Sequence, residues 1–354
     1  MTLRKEQLRY VVITFACVKM PTNIIRLKCA ALIAAWVIAA SPASAKSDKY
    51  EVNEQWQGLV LTAIEAFPDG GGYYTGRKTT ADFPKTAWRV LNEAYEMHPS
   101  DMMPNIAADK AVPSFSAAAV YLAMVKALTL WDTQNKIGRQ AWYWLKPYCG
   151  VVDIMNPKGF NQVDGEGCWG RALAYGPGMA VLVNDLKVGL SFTAYRGAKS
   201  EKNRETSKEK YASDEEWISD EVWDNAVPGD FMKIFWNRNE TDGSDSGAII
   251  GHSRNPDEDQ EVSHNAVFLG YTEDGDIIYW SSNPAADGDP KNGGYGRATC
   301  PRTAVQRVVF TRVTKPQNFD RAEKYTPVDK ISEWLKSLRE NHGTTKDLIK
   351  NCGI

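Results

Sequence analysis

The chain predicts an α+β fold, on three observations. Helical patterns fill its first half, short β-branched and aromatic runs follow from Pro228 onward, and one stretch, Pro113 to Trp131, is apolar on almost every side. Helices first and strands afterwards give a segregated fold rather than an alternating parallel one. A helix without a polar face belongs inside its domain. Lys126 is the only charge in that stretch, PSFSAAAVYLAMVKALTLW. Its start places Ser114 and Ser116 beside unpaired backbone N–H groups and the positive end of the helix dipole, which suits either an N-cap or a nucleophile with an oxyanion hole.

With 354 residues, a formal net charge of -2 and 11% aromatic residues, the composition is that of a globular chain with no basic stripe for nucleic acid. Residues 1–45 read as a secretory signal. Arg26 and Lys28 precede the apolar run Cys29–Ala40, and Ser41-Pro42-Ala43-Ser44-Ala45 ends in the A-x-A pattern, with cleavage expected after Ala45. Met20 gives a more ordinary signal length than Met1, and Tyr10–Cys17 alternatively reads as a long n-region. Nothing later is long and apolar enough to span a bilayer. The expectation is an exported protein, periplasmic or extracellular, without an integral membrane segment after cleavage. In an oxidising compartment Cys149, Cys168, Cys300 and Cys352 are expected in disulfides, with three pairings open. His98, His252, His264 and His342 have no zinc-site spacing, so no zinc set is expected, and the reading implies no metal or organic cofactor.

In chain order, Val52–Phe67 reads as a helix stopped by Pro68-Asp69-Gly70-Gly71-Gly72. Tyr73, Tyr74 and Gly76 continue that loop, which fits a backbone approaching a groove or a plain turn. Pro84–Met97 is a second amphipathic helix, and the central helix follows. A helical stretch closing at Trp142, Trp144 and Leu145 leads into a Gly-rich loop, Asp164–Gly170, that lacks the Gly-Lys-Ser/Thr ending of a phosphate cradle. Pro177 opens a helix over Gly178–Leu186. Gly197–Asn225 is a charged, solvated insertion with one short helix. From Pro228-Gly229-Asp230 the pattern changes. Phe231–Trp236, Val262–Tyr271, Asp276–Trp280 and Val305–Val313 read as an antiparallel sheet. Asn237–Glu261 is a long acidic loop without EF-hand spacing, and Ile331–Leu338 is an amphipathic helix in a C-terminal tail over residues 326–354.

His264 opens one predicted strand and Asn283 closes the next, in Trp280-Ser281-Ser282-Asn283, so an imidazole and a polar partner are expected at one sheet edge. Each also has a plain structural reading, His264 as a satisfied core residue and Asn283 as turn chemistry before Pro284. The order of hydroxyl-bearing buried helix, strand histidine and polar residue on the neighbouring strand resembles the papain-like superfamily, in its NlpC/P60 and amidase-like branch. Pro228-Gly229-Asp230-Phe231-Met232 looks like that branch's entry to the first strand. Ser263-His264-Asn265-Ala266-Val267-Phe268-Leu269-Gly270 looks like its histidine strand, and Gly72-Tyr73-Tyr74-Thr75-Gly76 is a weaker echo of the loop before its nucleophile.

The resemblance implies a domain over residues 46–325 with helices packed on an antiparallel sheet, acting on peptidoglycan peptides or related amides. Ser116 stands where that family carries Cys. A hydroxyl is a far weaker acid than a thiol and depends on general-base removal of its proton. By this resemblance Ser116 is the nucleophile, His264 the base, Asn283 or Ser282 the group orienting the ring, and Tyr73, Tyr74, Trp169 and Trp280 line the substrate groove. Two alternatives stay open. Cys168, in Gly165-Glu166-Gly167-Cys168-Trp169-Gly170, is a rival nucleophile, with His252 a rival base. Otherwise the domain is an inactive relative that binds cell-wall or peptide ligands without cleaving them.

Overall fold

The computed structural model describes residues 48–76, 78–147, 167–172, 178–197, 216–236, 263–325 and Cys352. The helices are α1 (Glu54–Ile64), α2 (Ala87–Ala94), α3 (Ser116–Trp131), α4 (Arg139–Leu145), α5 (Gly167–Arg171), α6 (Ala180–Leu186) and α7 (Glu221–Asn225). The strands are β1 (Gly70–Gly71), β2 (Tyr95–Glu96), β3 (Asn105–Ile106), β4 (Gly189–Gly197), β5 (Glu216–Ile218), β6 (Phe231–Trp236), β7 (Ser263–Tyr271), β8 (Ile277–Asn283), β9 (Gly294–Cys300) and β10 (Val305–Val313). The expected class holds: helices pack on a large antiparallel sheet, in the order β1-β9-β8-β7-β6-β10-β4-β5. Among the described residues, no helix is long and apolar enough to cross a membrane.

Local chemistry sets the helix starts. Asn53 accepts from Trp56 N at 3.0 Å to cap α1, and Thr86 accepts from Arg89 N at 3.2 Å to cap α2. Among the described residues, no side chain caps α3. Its N-cap position is Phe115, in extended conformation, so neither Ser114 nor Ser116 is the cap that their position suggests. Twelve of the sixteen residues of α3 are buried, as its apolar circumference requires. Where it ends, buried Asp132 accepts from Lys136 N, Ile137 N and Trp142 Nε1, tying the turn to α4.

The sheet has a core on each face. One contains α3 with Phe231, Val267, Trp280, Tyr295 and Val313; the other contains Phe192, Met232, Ile234, Trp236, Ala266, Phe268, Tyr279 and Phe310. Successive strand residues point to opposite faces, so this division fixes the side on which every sheet residue lies. Helix α3 covers the first face across β7 and β8.

The Pro-Gly-Asp sequence does structural work at the entry to β6. Gly229 has φ +94°, and a Cβ there would lie 3.0 Å from the Gln57 carbonyl oxygen. Asp230 and Arg312 are both fully buried and form a two-pronged ion pair, Nε to Oδ1 at 2.8 Å and Nη2 to Oδ2 at 2.7 Å. Gln57 Nε2 and Val227 N also donate to the carboxylate. Arg312 donates further to the carbonyls of Tyr50 and Asn225, at 2.9 and 2.7 Å. Burial pushes the Asp230 carboxyl upward, against the pull of the guanidinium and the N–H donors.

Several elements differ from the expectations. Helix α2 stops at Ala94 because Tyr95 and Glu96 pair with Ile106 and Asn105. Strands β4 and β9 were not expected, and β4 carries the sheet as far as Gly197, into the segment expected to be a charged insertion. Strand β8 runs to Asn283, beyond the predicted Trp280. Cys300 and Cys352 are buried free thiols in separate clusters, and neither bonds to Cys168, so the expectation of disulfides throughout fails for them. The signal at 1–45, Cys149, His252, Asn237–Glu261, Pro177 and the helix expected at Ile331–Leu338 lie outside the described residues.

Strand β9 begins at Gly294, with φ +123°, where a Cβ would stand 2.0 Å from the Gly70 carbonyl oxygen. Gly294→Ala is therefore expected to lose about 2–3 kcal/mol through backbone strain and overpacking. Chemical denaturation checks this, and a loss below about 0.5 kcal/mol would mean that β1 simply moves away.

Candidate functional site

The loop after α1 fixes the approach to α3. Gly72 accepts from Ser114 N at 3.0 Å, and Ser114 O accepts from Tyr74 N at 2.8 Å, so the Tyr/Gly loop and the helix start are stitched through main chain. Tyr295 OH donates to Ala111 O at 2.9 Å just ahead of the helix. Ser116 is the first helical residue and is 6% exposed. Phe115 and Trp169 meet at 6.5 Å, and Tyr121 and Trp169 at 5.0 Å, which closes the helix start with aromatic rings.

His264 and Asn283 meet as expected: Nε2 of the imidazole lies 3.0 Å from Asn283 Oδ1. Asn283 Nδ2 donates to Gly296 O at 3.0 Å, which leaves Oδ1 as the acceptor and assigns the proton to His264 Nε2. The ring packs with Trp236 and Tyr279, at centroid distances of 6.4 and 5.8 Å. Burial pushes the imidazole down from its ordinary value to about 4, the Asn283 bond opposing and the charge of Lys233 adding to the shift. At neutral pH the ring is uncharged.

Ser116 and His264 do not come together. His264 alternates with Ala266 and Phe268 and shares the face of Trp236 and Tyr279, whereas α3 covers the face of Val267 and Trp280. The sheet separates hydroxyl from imidazole, which overturns the expected dyad. Ser282 falls on the α3 face, two residues beyond Trp280, so it does not orient the ring. Asn283 alone takes that place.

Of the other expected site residues, Cys168, Trp169 and Trp280 are part of the core. Cys168 is 1% exposed and sits in the five-residue α5, not in an open cleft. Trp169 is 2% exposed, and Trp280 stacks on Tyr295 at 5.5 Å, so neither lines a groove. Tyr73 is half-buried in a parallel bridge to Ser114, and Tyr74 stacks on Phe83 at 4.6 Å while its hydroxyl donates to Lys78 O. An aromatic side chain buries enough area to join a core wherever packing permits.

On the α3 face the structure instead presents polar residues the sequence reading passed over. Lys233 pairs with Asn265 across β6 and β7, both 2% exposed. Val267 pairs with Trp280, and beyond that pair the Ser281 hydroxyl donates to the Asn265 carbonyl at 2.6 Å. The signal was a lone lysine inside the apolar run Phe231–Trp236. Among the described residues, no group of His, Cys, Asp and Glu is arranged to hold a metal ion.

No family model, no curated protein and no solved structure matches the chain.

Proposed function

We propose that the protein is an exported, papain-like domain of the NlpC/P60 type that binds peptidoglycan peptides or related amides without hydrolysing them. The observation that carries this reading is the sheet between Ser116 and His264. Acyl transfer to a serine needs its base within hydrogen-bond reach, and here the base belongs to the opposite core. The hydroxyl at the nucleophile position, where a thiol would be expected, points the same way. The His264–Asn283 pair favours a second reading, an amide hydrolase in which that pair serves a nucleophile other than Ser116.

Incubating the full chain with purified peptidoglycan separates the two. The expected result is co-sedimentation of the protein with the polymer and a muropeptide mass spectrum unchanged by wild type, Ser116→Ala or Ser116→Cys. Released fragments that disappear in Ser116→Ala would refute the binding reading. Fragments that persist in Ser116→Ala and disappear in His264→Gln would establish the second one.

A further inference from the structure

One edge of the large sheet is half open. Strand β9 pairs with β8 along its whole length, from Gly294 to Cys300, without a register shift, whereas on its other side β1 covers only Gly294 and Tyr295. Continued backwards, the β1 register would set Pro68 opposite Arg297, where it has no N–H to give. Among the described residues, no strand lies against Gly296–Cys300 on that side. Two contacts fix the direction of the main-chain groups. Gly296 O accepts from Asn283 Nδ2 at 3.0 Å, toward β8, and Gly293 O accepts from Gly72 N at 2.9 Å, toward β1. Backbone groups alternate from residue to residue along an antiparallel strand, so Arg297 and Thr299 turn their N–H and C=O outward. Both residues are exposed.

Such an edge is a template for another strand unless it is blunted by a proline, a bulge or a charge. Gly294–Cys300 contains no proline and no bulge. Its one charged side chain, Arg297, is drawn onto the α3 face, where it donates to Glu65 at the C-cap of α1 at 2.7 Å. On the other face there is room: no atom lies within 4 Å of where a Cβ on Gly296 would stand, and Ala298 is small. We infer that the Arg297–Thr299 edge binds an extended peptide segment of a partner protein, which joins β9 as an antiparallel strand in line with β1. The alternating donors and acceptors select extended backbone, and side chains of the segment add an aromatic ring over Gly296 and a carboxylate opposite Arg297. A second copy of this chain fits less well. In the two-fold register that pairs Arg297 with Thr299, Pro301 of that copy would fall opposite Tyr295, the place Gly70 already holds. This surface is independent of the wall-binding reading.

The test is NMR titration of the isotope-labelled full chain with the peptide acetyl-Thr-Val-Glu-Tyr-amide, whose residues stand opposite Thr299, Ala298, Arg297 and Gly296 in that order. Thr against Thr299 and Glu against Arg297 are favourable cross-strand pairs, and Tyr covers the glycine. Saturable amide shifts are expected at Arg297 and Thr299, with both amides becoming protected from solvent exchange. Methylating the Thr and Glu nitrogens of the peptide removes the two donors that face β9 and keeps every side chain. That is expected to weaken binding at least ~10-fold, the worth of two hydrogen bonds. Thr299→Pro deletes one outward N–H and leaves the ladder to β8 in place, and is expected to weaken binding ~5-fold, the worth of one. Absence of saturable shifts, shifts confined to other residues, equal binding of the methylated peptide, or full binding by a Thr299→Pro protein with an unchanged circular dichroism spectrum would each overturn the inference. So would protection of both amides in the free protein. If that protection grows with protein concentration and sedimentation shows a dimer, the edge belongs to a second copy of this chain instead.

Discussion

Replacing Arg312 with Met is expected to destabilise the protein by about 3–5 kcal/mol, the cost of leaving one partner of a buried ion pair uncompensated. Asp230 and Arg312 are both 0% exposed, so no water takes over the contacts that are lost. The guanidinium also satisfies the carbonyls of Tyr50 and Asn225, which would be orphaned together. Urea denaturation at neutral pH measures the change, with the slope of the transition expected to stay constant. Adding Asp230→Asn should return more than half of the loss. The charge is then gone, and the new amide can donate to Gln57 Oε1, which has no partner among the described residues. A loss in Arg312→Met below about 1 kcal/mol, the range of an exposed pair, would contradict the burial on which the expectation rests.

Acid should expose the second large effect. Between pH 6.5 and about 4, wild type is expected to lose about 3 kcal/mol more than His264→Gln, from the depression of the imidazole to about 4 and 1.36 kcal/mol per unit. The unfolded chain takes up the proton near its ordinary value, whereas the folded chain refuses it until about pH 4. Stability from the neutral buried ring is therefore complete above pH 6.5, declines as pH falls through that window, and levels off below it. Comparing the two proteins cancels the carboxylates that titrate in the same range. Identical pH slopes would mean that His264 is solvated, and would remove the case for a buried His264–Asn283 pair.

Much of the fold is readable from pattern. The helix at Pro113–Trp131 had no polar face to show to water, and the strands after Pro228 were bounded by turn residues. Strand β9 was obscured because Gly294-Tyr295-Gly296-Arg297 carries no run of β-branched residues, and its place comes from pairing with β8 along its whole length. Strand β4 did carry an alternation, Leu190, Phe192 and Ala194, but it merges into the charged stretch that follows. The site failed on parity. Both Asn265-Val267 and His264-Ala266-Phe268 are plausible inward sets in a strand covered on both faces, and a shift of one residue moves a side chain across the sheet. Only the partner strands decide it, through Val267 against Trp280 and Ile234 against His264. The His264–Asn283 contact was legible because both residues stand at strand ends on the same edge. Ser116 was not, since its position in sequence says nothing about which face its helix covers.

Strand β10 lies between β6 and β4 in the sheet, yet it is the last of the described strands. While the protein is being made, β4 and β6 must wait with open edges for residues 305–313 to fill the gap between them. Arg312 travels on that same strand, so the carboxylate of Asp230 has no counter-charge until the strand arrives. Closure thus depends on contacts distant in sequence, the class that folds slowly and exposes unpaired edges meanwhile. A ribosome-bound chain truncated before β10 would remain sensitive to protease throughout its sheet, and resistance would appear in one step on addition of the last strand.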